Sequence, residues 1–398
     1  MPGPLEGLKV LDLTRLLPGP FCTLLLADLG AEVLKVEDPN GGDYIRWMPP
    51  YYGGDAERAN GTASAYFLAL NRNKKSLKLD LRHPEGREVL LKLAESYDVV
   101  VESFRPGVMD KLRVGYEALR KRNPKLVYCA ISGYGQDGPL RDRAGHDTNY
   151  LALAGLLGLT GRRDGPPIQS AGQIADLGGG GMMAAVAILA ALHGRESTGE
   201  GRFIDISMTD GSLSWLAMVV ARHFCEGTVP HRGDPELAGG ILCYFLYETK
   251  DGKWVSLGAL EPKFWHAWCE GVGREDLKEK QFEHPTSDAG QDVARLFAQR
   301  TRDEWSAFAA EHDCCLEPIL NLDEALSSEL FVKRAMIGEL DQPGIGKIRQ
   351  IASPIRFGEG RPGDPRPAPA LGEQVEEVLA AAGYDGERIA ALRAEGVI

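Results

Sequence analysis

The chain has 398 residues, of which 43% are hydrophobic and 26% charged, as is ordinary for a globular protein of one large or two smaller domains. The formal net charge of −12 argues against nucleic acid as a partner, because phosphate backbones are bound by basic surfaces. We find no apolar run that approaches the length of a bilayer span and no basic segment that opens a signal peptide. A cytoplasmic protein with no membrane partner is therefore expected.

Residues 1–132 alternate between apolar runs and helical patterns, which predicts a parallel α/β sheet. The first β-α-β unit ends its second strand at Glu37 and so imitates a dinucleotide-binding fold. The GxGxxG turn of that fold is missing, which argues against nicotinamide or flavin binding. The predicted strands are 8–13, 31–37, 76–81, 98–103 and 125–132, and the predicted helical segments are 20–29, 83–95 and, less regularly, 106–122.

The second half begins with a helix over about 177–193, a strand over 201–208 and a helix over 209–224. The composition then changes to a Gly/Pro-rich linker. A hairpin follows around Asp251-Gly252, and after about 351 a Pro/Gly-rich segment leads to a helical tail. We predict three segments: the first part of a large domain (1–225), a small domain with the hairpin (226–330), and a linker that returns to the large domain (331–398).

The seven cysteines are odd in number and lack C-x-x-C spacing, and the eight histidines are scattered. Reduced thiols are favoured over a disulfide framework, and no metal site is expected. The chain also lacks HExxH, P-loop and GxSxG motifs.

A basic patch runs from Asn71 to Lys75 and continues with Lys78 and Arg82. It predicts either a solvated charged turn or a binding site for a small polyanion.

His146, Asp147, Asp176 and Glu261 are the candidate site residues, because each is a polar group at the edge of an apolar segment. Such settings perturb pKa values. Each has a plainer interpretation: a structural histidine, or an N-cap in the case of Asp176 and Glu261. Four glycines follow Asp176, and they predict either close helix packing or the approach of a bulky ligand.

The chain resembles the class III CoA-transferase family over nearly its whole length. The segments that carry the resemblance are LEGLKVLDLTRLLPGPFCT, LGAEVLKVEDPNGGD, LNRNKKSLKLDLRHPEGRE, VVVESFRPGVMDKL, NPKLVYCAISGYGQDGP and ILAALHGRESTGEGRFIDISMTDG. Three further segments resemble the α-methylacyl-CoA racemase branch of that family: GHDTNY, IADLGGGGMM and GALEPKFW. The resemblance implies a Rossmann-like large domain built from both chain ends, a smaller α+β domain from the middle, and an interlocked homodimer.

For the chemistry, the resemblance implies an epimerase that acts on 2-methylacyl-CoA thioesters. His146 and Asp176 would be the acid/base pair on opposite faces of the α-carbon, and Glu261 would orient His146. The backbone N–H of Asp147 would stabilise the enolate oxygen, and the glycines after Asp176 would let the thioester approach. A carboxyl group against apolar walls should have a raised pKa. Coenzyme A is part of the substrate, and neither a metal nor a redox cofactor is implied.

The resemblance also places seven residues around CoA: Leu16, Leu79, Arg82, Ser103, Phe104, Arg105 and Lys111. The chain departs from the family at Asp38, where Arg is frequent, and Lys35 or Arg46 would compensate. Lys111 likewise stands where Arg is frequent.

Two other functions stay open. In a CoA-transferase, Asp176 would be a nucleophile that forms a mixed anhydride with the acyl group. In a non-catalytic protein, the fold would only bind acyl-CoA. The acyl group is not determined by the sequence, although Met182 and Met183 suggest an apolar pocket.

Overall fold

The structure is a computed structural model that describes residues 3–54, 62–358 and 360–398. The chain divides into two compact units, each built from separate stretches of sequence. The first unit comprises Met1–Ala154, Gly172–Trp215 and Val332–Ile398, and the second comprises Gly155–Ala171 and Leu216–Phe331. The stretch 155–171 thus groups with the second unit, whereas the sequence prediction placed it in the first part of the large domain.

A six-stranded parallel sheet forms the centre of the first unit, in the order β3-β2-β1-β4-β5-β6. This confirms the predicted α/β class. The second unit holds the antiparallel sheet β7-β8-β9, and a further hairpin, β10-β11, lies in the first unit. The strands are β1 (Lys9–Leu13), β2 (Glu32–Glu37), β3 (Lys74–Lys78), β4 (Val99–Glu102), β5 (Val127–Ser132), β6 (Phe203–Ser207), β7 (Tyr244–Glu248), β8 (Trp254–Gly258), β9 (Leu316–Pro318), β10 (Ile337–Gln342) and β11 (Gly346–Ile351).

Most helices of the first unit connect successive strands of its sheet. In chain order the α-helices are α1 (Pro18–Asp28), α2 (Ala65–Asn71), α3 (Pro84–Ala94), α4 (Val108–Lys111), α5 (Tyr116–Arg122), α6 (Asp147–Leu153), α7 (Leu156–Leu159), α8 (Met183–Thr198), α9 (Met208–Ser214), α10 (Ala217–Glu226), α11 (Pro262–Gly271), α12 (Asp288–Phe297), α13 (Arg302–Glu311), α14 (Leu322–Ser327), α15 (Glu329–Lys333), α16 (Val375–Ala381) and α17 (Gly386–Ala394). A π-helix, Ile174–Met182, leads directly into α8.

Strands β4 (VVVE) and β5 (VYCAIS) are almost wholly apolar, as expected where helices cover both faces of a parallel sheet, whereas β1 and β2 also bury the charged Asp12 and Lys35. All four residues of β4 are buried, including the terminal Glu102. The C-terminal segment completes the core, since Val375, Leu379 and Leu392 are buried in the same cluster as Leu11 of β1. Both ends of the chain therefore build the first unit.

The second unit has an α+β core of its own. Strands β7 and β8 pair antiparallel, with Tyr247 opposite Val255, as the hairpin prediction requires. Trp265, Trp268 and Trp305 are buried. Trp268 and Trp305 pack against Phe297, and Trp265 stacks on Trp268. These rings belong to one buried cluster with aliphatic residues such as Val255 and Leu257.

The central helix is longer than the sequence predicted, and the expectation that no apolar run reaches the length of a bilayer span was wrong. The π-helix and α8 together form a 25-residue apolar helix, Ile174–Thr198, that could span a membrane by length and composition alone. Half of its most apolar window is buried within the protein. The π-helix packs against α1 and α9, so the burial of a core helix accounts for the apolar composition.

The four consecutive glycines of the π-helix are required by close packing with protein. A Cβ added at Gly179 would lie 2.8 Å from the Met208 carbonyl oxygen, and one at Gly181 would lie 2.7 Å from that of Pro18. A Cβ at Gly178 would lie 2.6 Å from the Trp215 ring. These contacts support the close-packing interpretation, because the missing side chains make room for α1, α9 and Trp215, and the role of the glycines in admitting a thioester stays a prediction.

We predict that Gly179→Ala lowers the free energy of unfolding by about 1–3 kcal/mol, since the new methyl group has to displace backbone atoms of α9. Gly194→Ala is the matched control, because it lies in α8 with no atom within 4 Å of an added Cβ. The free energy of unfolding of the control should rise by up to about 1 kcal/mol, because alanine has a higher helix propensity than glycine. Urea unfolding of both variants makes the comparison, and equal stabilities would contradict the packing argument.

Candidate active site

The loop before α6 is held by two tyrosine rings. Tyr134 and Tyr150 pack edge to face with centroids 5.2 Å apart, and the Tyr150 hydroxyl donates to the Gly145 carbonyl. A Cβ at Gly133 or Gly145 would lie within 2.7 Å of these rings. This packing fixes the backbone that delivers the next residue, His146, to the start of the helix.

His146 is the N-cap of α6, and its imidazole belongs to an exposed residue. Its backbone N–H donates to Asn149 Oδ1 at 3.0 Å. Asp147 follows as the first residue of the helix. The N–H at that position is not used by the helical hydrogen-bond ladder, so it is available to a negatively charged oxygen.

A hydrogen bond joins this helix start to the π-helix. The Asp176 backbone N–H donates to Asp147 Oδ1 at 3.0 Å. This bond places Asp176 beside the start of α6, which carries His146 and Asp147. The three residues that the sequence analysis grouped together therefore lie near one another in the first unit. Asp176 is not an N-cap, because Gln173 occupies that position and Asp176 lies in the first turn.

The Asp176 carboxyl is half-buried, and it titrates far from its ordinary range. Burial, with a smaller contribution from the negative charge of Asp147, raises its pKa from 3.8 to about 7. This agrees with the raised pKa expected from the apolar surroundings. A carboxyl group with this pKa exchanges a proton readily near neutral pH.

Glu261 lies in the second unit, as the N-cap of α11. It is exposed, and its side chain makes no capping hydrogen bond. Glu261 thus occupies the N-cap position, as one interpretation of the sequence predicted, but its carboxylate does not cap the helix. Its predicted role toward His146 stays a prediction.

The residues predicted to surround CoA follow the carboxyl ends of several strands of the sheet. Leu16 comes after β1, and Leu79 and Arg82 come after β3. Ser103, Phe104 and Arg105 come directly after β4, and Lys111 ends α4. Ligands of open parallel sheets bind where the strand order reverses, which is between β1 and β4 here.

The proposed compensation for Asp38 by Lys35 or Arg46 is wrong. Both cations are fully buried in ion pairs: Lys35 Nζ lies 2.9 Å from Asp43 Oδ2, and Arg46 Nη2 lies 2.7 Å from Glu37 Oε1. They are unavailable to a ligand. Asp38 itself lies 3.5 Å from Nη2 of the exposed Arg82.

Both interpretations of the basic patch fail for its central residues, which are neither solvated nor open to a polyanion. Arg72 pairs with Asp28 at 2.5 Å, and Lys74 pairs with Asp12 at 3.1 Å. All four side chains are at most 8% exposed. Lys74 also donates to Pro20, Thr23 and Asn71 oxygens, so its charge serves the fold.

Sequence reasoning missed a second perturbed carboxyl group, Glu102. Burial raises its pKa to about 7, although it accepts a hydrogen bond from the Phe104 N–H at 2.7 Å. The available signal was a lone acid at the end of an otherwise apolar strand.

All seven cysteines are free thiols, five of them buried. Among the residues that the structure describes, no group of three or more His, Cys, Asp or Glu side chains is placed to hold a metal ion.

Comparisons with known proteins agree with the sequence resemblance. The family model for CoA-transferase family III matches residues 5–375. Succinyl-CoA:mesaconate CoA-transferase of Haloarcula marismortui is 39% identical, over 96% of this chain and 97% of that protein. Human alpha-methylacyl-CoA racemase is 33% identical, over 99% and 97%. A crystal structure of a CAIB/BAIF family protein from Brucella suis superimposes with a TM-score of 0.81 at 31% identity, over 96% of this chain and all of that one.

We predict that the stability of Asp176→Asn relative to wild type increases as the pH rises from 4 to 8. Between pH 4 and 7 the folded protein holds a proton on Asp176 that the unfolded chain has released, so wild-type stability falls with rising pH. The variant lacks this group. The difference in the free energy of unfolding between the variant and wild type, measured by urea unfolding, should change by about 2–4 kcal/mol over this pH range. One pKa unit corresponds to about 1.36 kcal/mol. A difference that stays constant over this range would contradict the raised pKa.

Proposed function

Because the chain belongs to CoA-transferase family III, whose named relatives are racemases and CoA-transferases, we propose that it is a racemase that interconverts the R and S epimers of 2-methylacyl-CoA thioesters. Coenzyme A enters as part of the substrate. The reaction removes a proton from the α-carbon and returns one to the opposite face, so it needs no oxidant and no leaving group. The names of the relatives support either a racemase or a CoA-transferase, and of these two activities we propose the racemase.

The observation that carries the proposal is the state of Asp176. A general acid/base has to exist in both protonation states, and a carboxyl group that is largely protonated near neutral pH is a weaker nucleophile than one with an ordinary pKa. With a pKa of about 7, Asp176 is present in both forms at neutral pH. The hydrogen bond between its N–H and Asp147 also fixes the backbone that carries the carboxyl group, which favours accurate placement.

His146 is the second base. It enters from the start of α6, while Asp176 enters from the first turn of the π-helix, so the two side chains come from different elements. This suits an α-carbon held between them with one base on each face. For Glu261, which belongs to the second unit, the resemblance implies a role in orienting the imidazole, and that role stays a prediction.

Removal of the α-proton places negative charge on the thioester oxygen. The N–H of Asp147 is the proposed donor to that oxygen, because it stands at the positive end of α6 with its proton unused by the helix. Asp176 or His146 then returns a proton to the carbon, and the enolate collapses to the thioester of the other epimer.

CoA transfer is the second candidate, and the 39% identity to a succinyl-CoA:mesaconate CoA-transferase favours it. In this reaction the Asp176 carboxylate attacks the thioester carbonyl, CoA thiolate leaves, and a mixed anhydride remains. The CoA thiolate then attacks the Asp176 carbonyl of the anhydride, which releases the donor acid and leaves an aspartyl-CoA thioester. The acceptor carboxylate attacks this thioester, CoA thiolate leaves, and an anhydride of Asp176 with the acceptor forms. Attack of the thiolate on the acceptor carbonyl of that anhydride gives the new CoA ester and frees the Asp176 carboxylate.

We predict that the protein exchanges the α-hydrogen of a pure 2-methylacyl-CoA epimer for deuterium and erodes its optical purity in D2O without an acceptor acid. NMR follows both events. His146→Ala and Asp176→Asn should each lower the rate of racemisation, measured as loss of optical purity, by about 10²–10⁴-fold, as expected for loss of a general acid or base. His193→Ala is the control, since this histidine is 85% exposed on α8 and should leave the rate unchanged.

The same assay carried out with succinate or mesaconate as acceptor separates the two candidates. The appearance of CoA on the acceptor without deuterium exchange would reject the racemase and support Asp176 as a nucleophile.

A further inference from the structure

Arg15 is a cation that the predicted functions leave unused. It lies two residues after the end of β1, at the carboxyl edge of the sheet and at the point between β1 and β4 where the strand order reverses. Its backbone N–H donates to Ser103 Oγ at 3.1 Å, so the segment after β1 is tied to the segment after β4. Arg15 therefore stands where open parallel sheets bind their ligands.

Two aromatic rings flank the guanidinium of Arg15. Its Cζ lies 5.1 Å from the centroid of the Tyr44 ring and 5.2 Å from that of Phe104. Nη1 donates to the Tyr44 hydroxyl at 2.8 Å. Contacts of this kind hold the plane of the guanidinium and leave donor N–H groups for a ligand.

The charge of Arg15 is not neutralised by the protein. Over residues 3–54, 62–358 and 360–398, no carboxylate lies within ion-pair distance of Arg15, and the same is true of Arg105 and Lys111. The buried cations Lys35 and Arg46, by contrast, are both paired. The carboxyl edge thus retains positive charge, although the chain as a whole is acidic.

The backbone next to Arg15 is held in a costly conformation. Leu16 has a φ of 64°, in the left-handed region that residues with a branched side chain rarely adopt. Asp43 Oδ1 accepts from the Leu16 N–H at 3.0 Å, and Lys35 donates to the Thr14 carbonyl at 2.8 Å. The buried Lys35–Asp43 pair therefore secures this turn and with it the direction of Arg15. Such strain is found where a site must be formed before its ligand arrives.

We propose that Arg15 binds the diphosphate of the CoA nucleotide, with its guanidinium held between Tyr44 and Phe104. This inference rests on the proposed function, because it identifies which part of an acyl-CoA the site contacts. A planar guanidinium with unused N–H groups matches the paired oxygens of a diphosphate, which Lys at the same place would not. The acyl or acceptor carboxylate is the other oxyanion with this chemistry, and the test separates the two.

The test is calorimetric binding of CoA, dephospho-CoA, pantetheine and succinate to wild type, Arg15→Gln and Arg15→Lys. Arg15→Gln should weaken CoA and dephospho-CoA to the same extent, by about tenfold or more, as for loss of a charge-assisted hydrogen bond. Pantetheine, which lacks the diphosphate, should bind wild type and variant equally. Arg15→Lys should restore only part of the affinity. Arg120→Gln is the matched control, because Arg120 also lies over a tyrosine ring but on α5, and it should bind CoA as wild type does.

Each other outcome overturns the assignment. Equal CoA affinity of wild type and a folded Arg15→Gln, with folding checked by thermal unfolding, would reject it while the proposed function stands. Weakened succinate binding with unchanged CoA binding would assign Arg15 to a carboxylate. A wild type that binds neither CoA nor dephospho-CoA would reject both this inference and the proposed function.

Discussion

The contact between the π-helix and its neighbours is the constraint on which the rest of the site depends. Gly179 and Gly211 approach so closely that a Cβ on Gly211 would lie 2.3 Å from the Gly179 carbonyl oxygen. Only glycine permits helices to meet at this distance. Because the π-helix is held in this way against α1 and α9, its first turn has a fixed position, and Asp176 is presented to the start of α6.

Charge is distributed according to a simple physical rule in the first unit. Cations that are buried, such as Lys35, Arg46 and Lys74, each have a carboxylate partner, because an unpaired buried charge is costly. Asp176 has no cation as partner to lower its pKa, and burial raises it instead. Among the described residues, the cations Arg15, Arg105 and Lys111 have no carboxylate partner, and the polyanionic thioester of the proposed function would supply the negative charge that they lack.

The sequence predicts the sheet well because its strands are local apolar runs between turn residues. The roles of His146 and Asp176 come from the family resemblance and not from residue spacing, and they stay predictions. The sequence does not predict the burial of Arg72 and Lys74, since their partners Asp28 and Asp12 lie 44 and 62 positions away. The sequence does not predict the π-helical start of the central helix, for a related reason. Four glycines have no helical preference of their own, and the packing against α1 and α9 decides their conformation.

The central claim is that two bases act on opposite faces of one carbon, and deuterium exchange from each pure epimer by the two single-base variants tests it most directly. In D2O, His146→Ala should exchange the α-hydrogen of one epimer without inverting it, and Asp176→Asn should do the same with the other epimer. The remaining base in each variant reaches only its own face. If both variants exchanged the same epimer, or either exchanged both at the wild-type rate, the assignment of one base to each face would be contradicted.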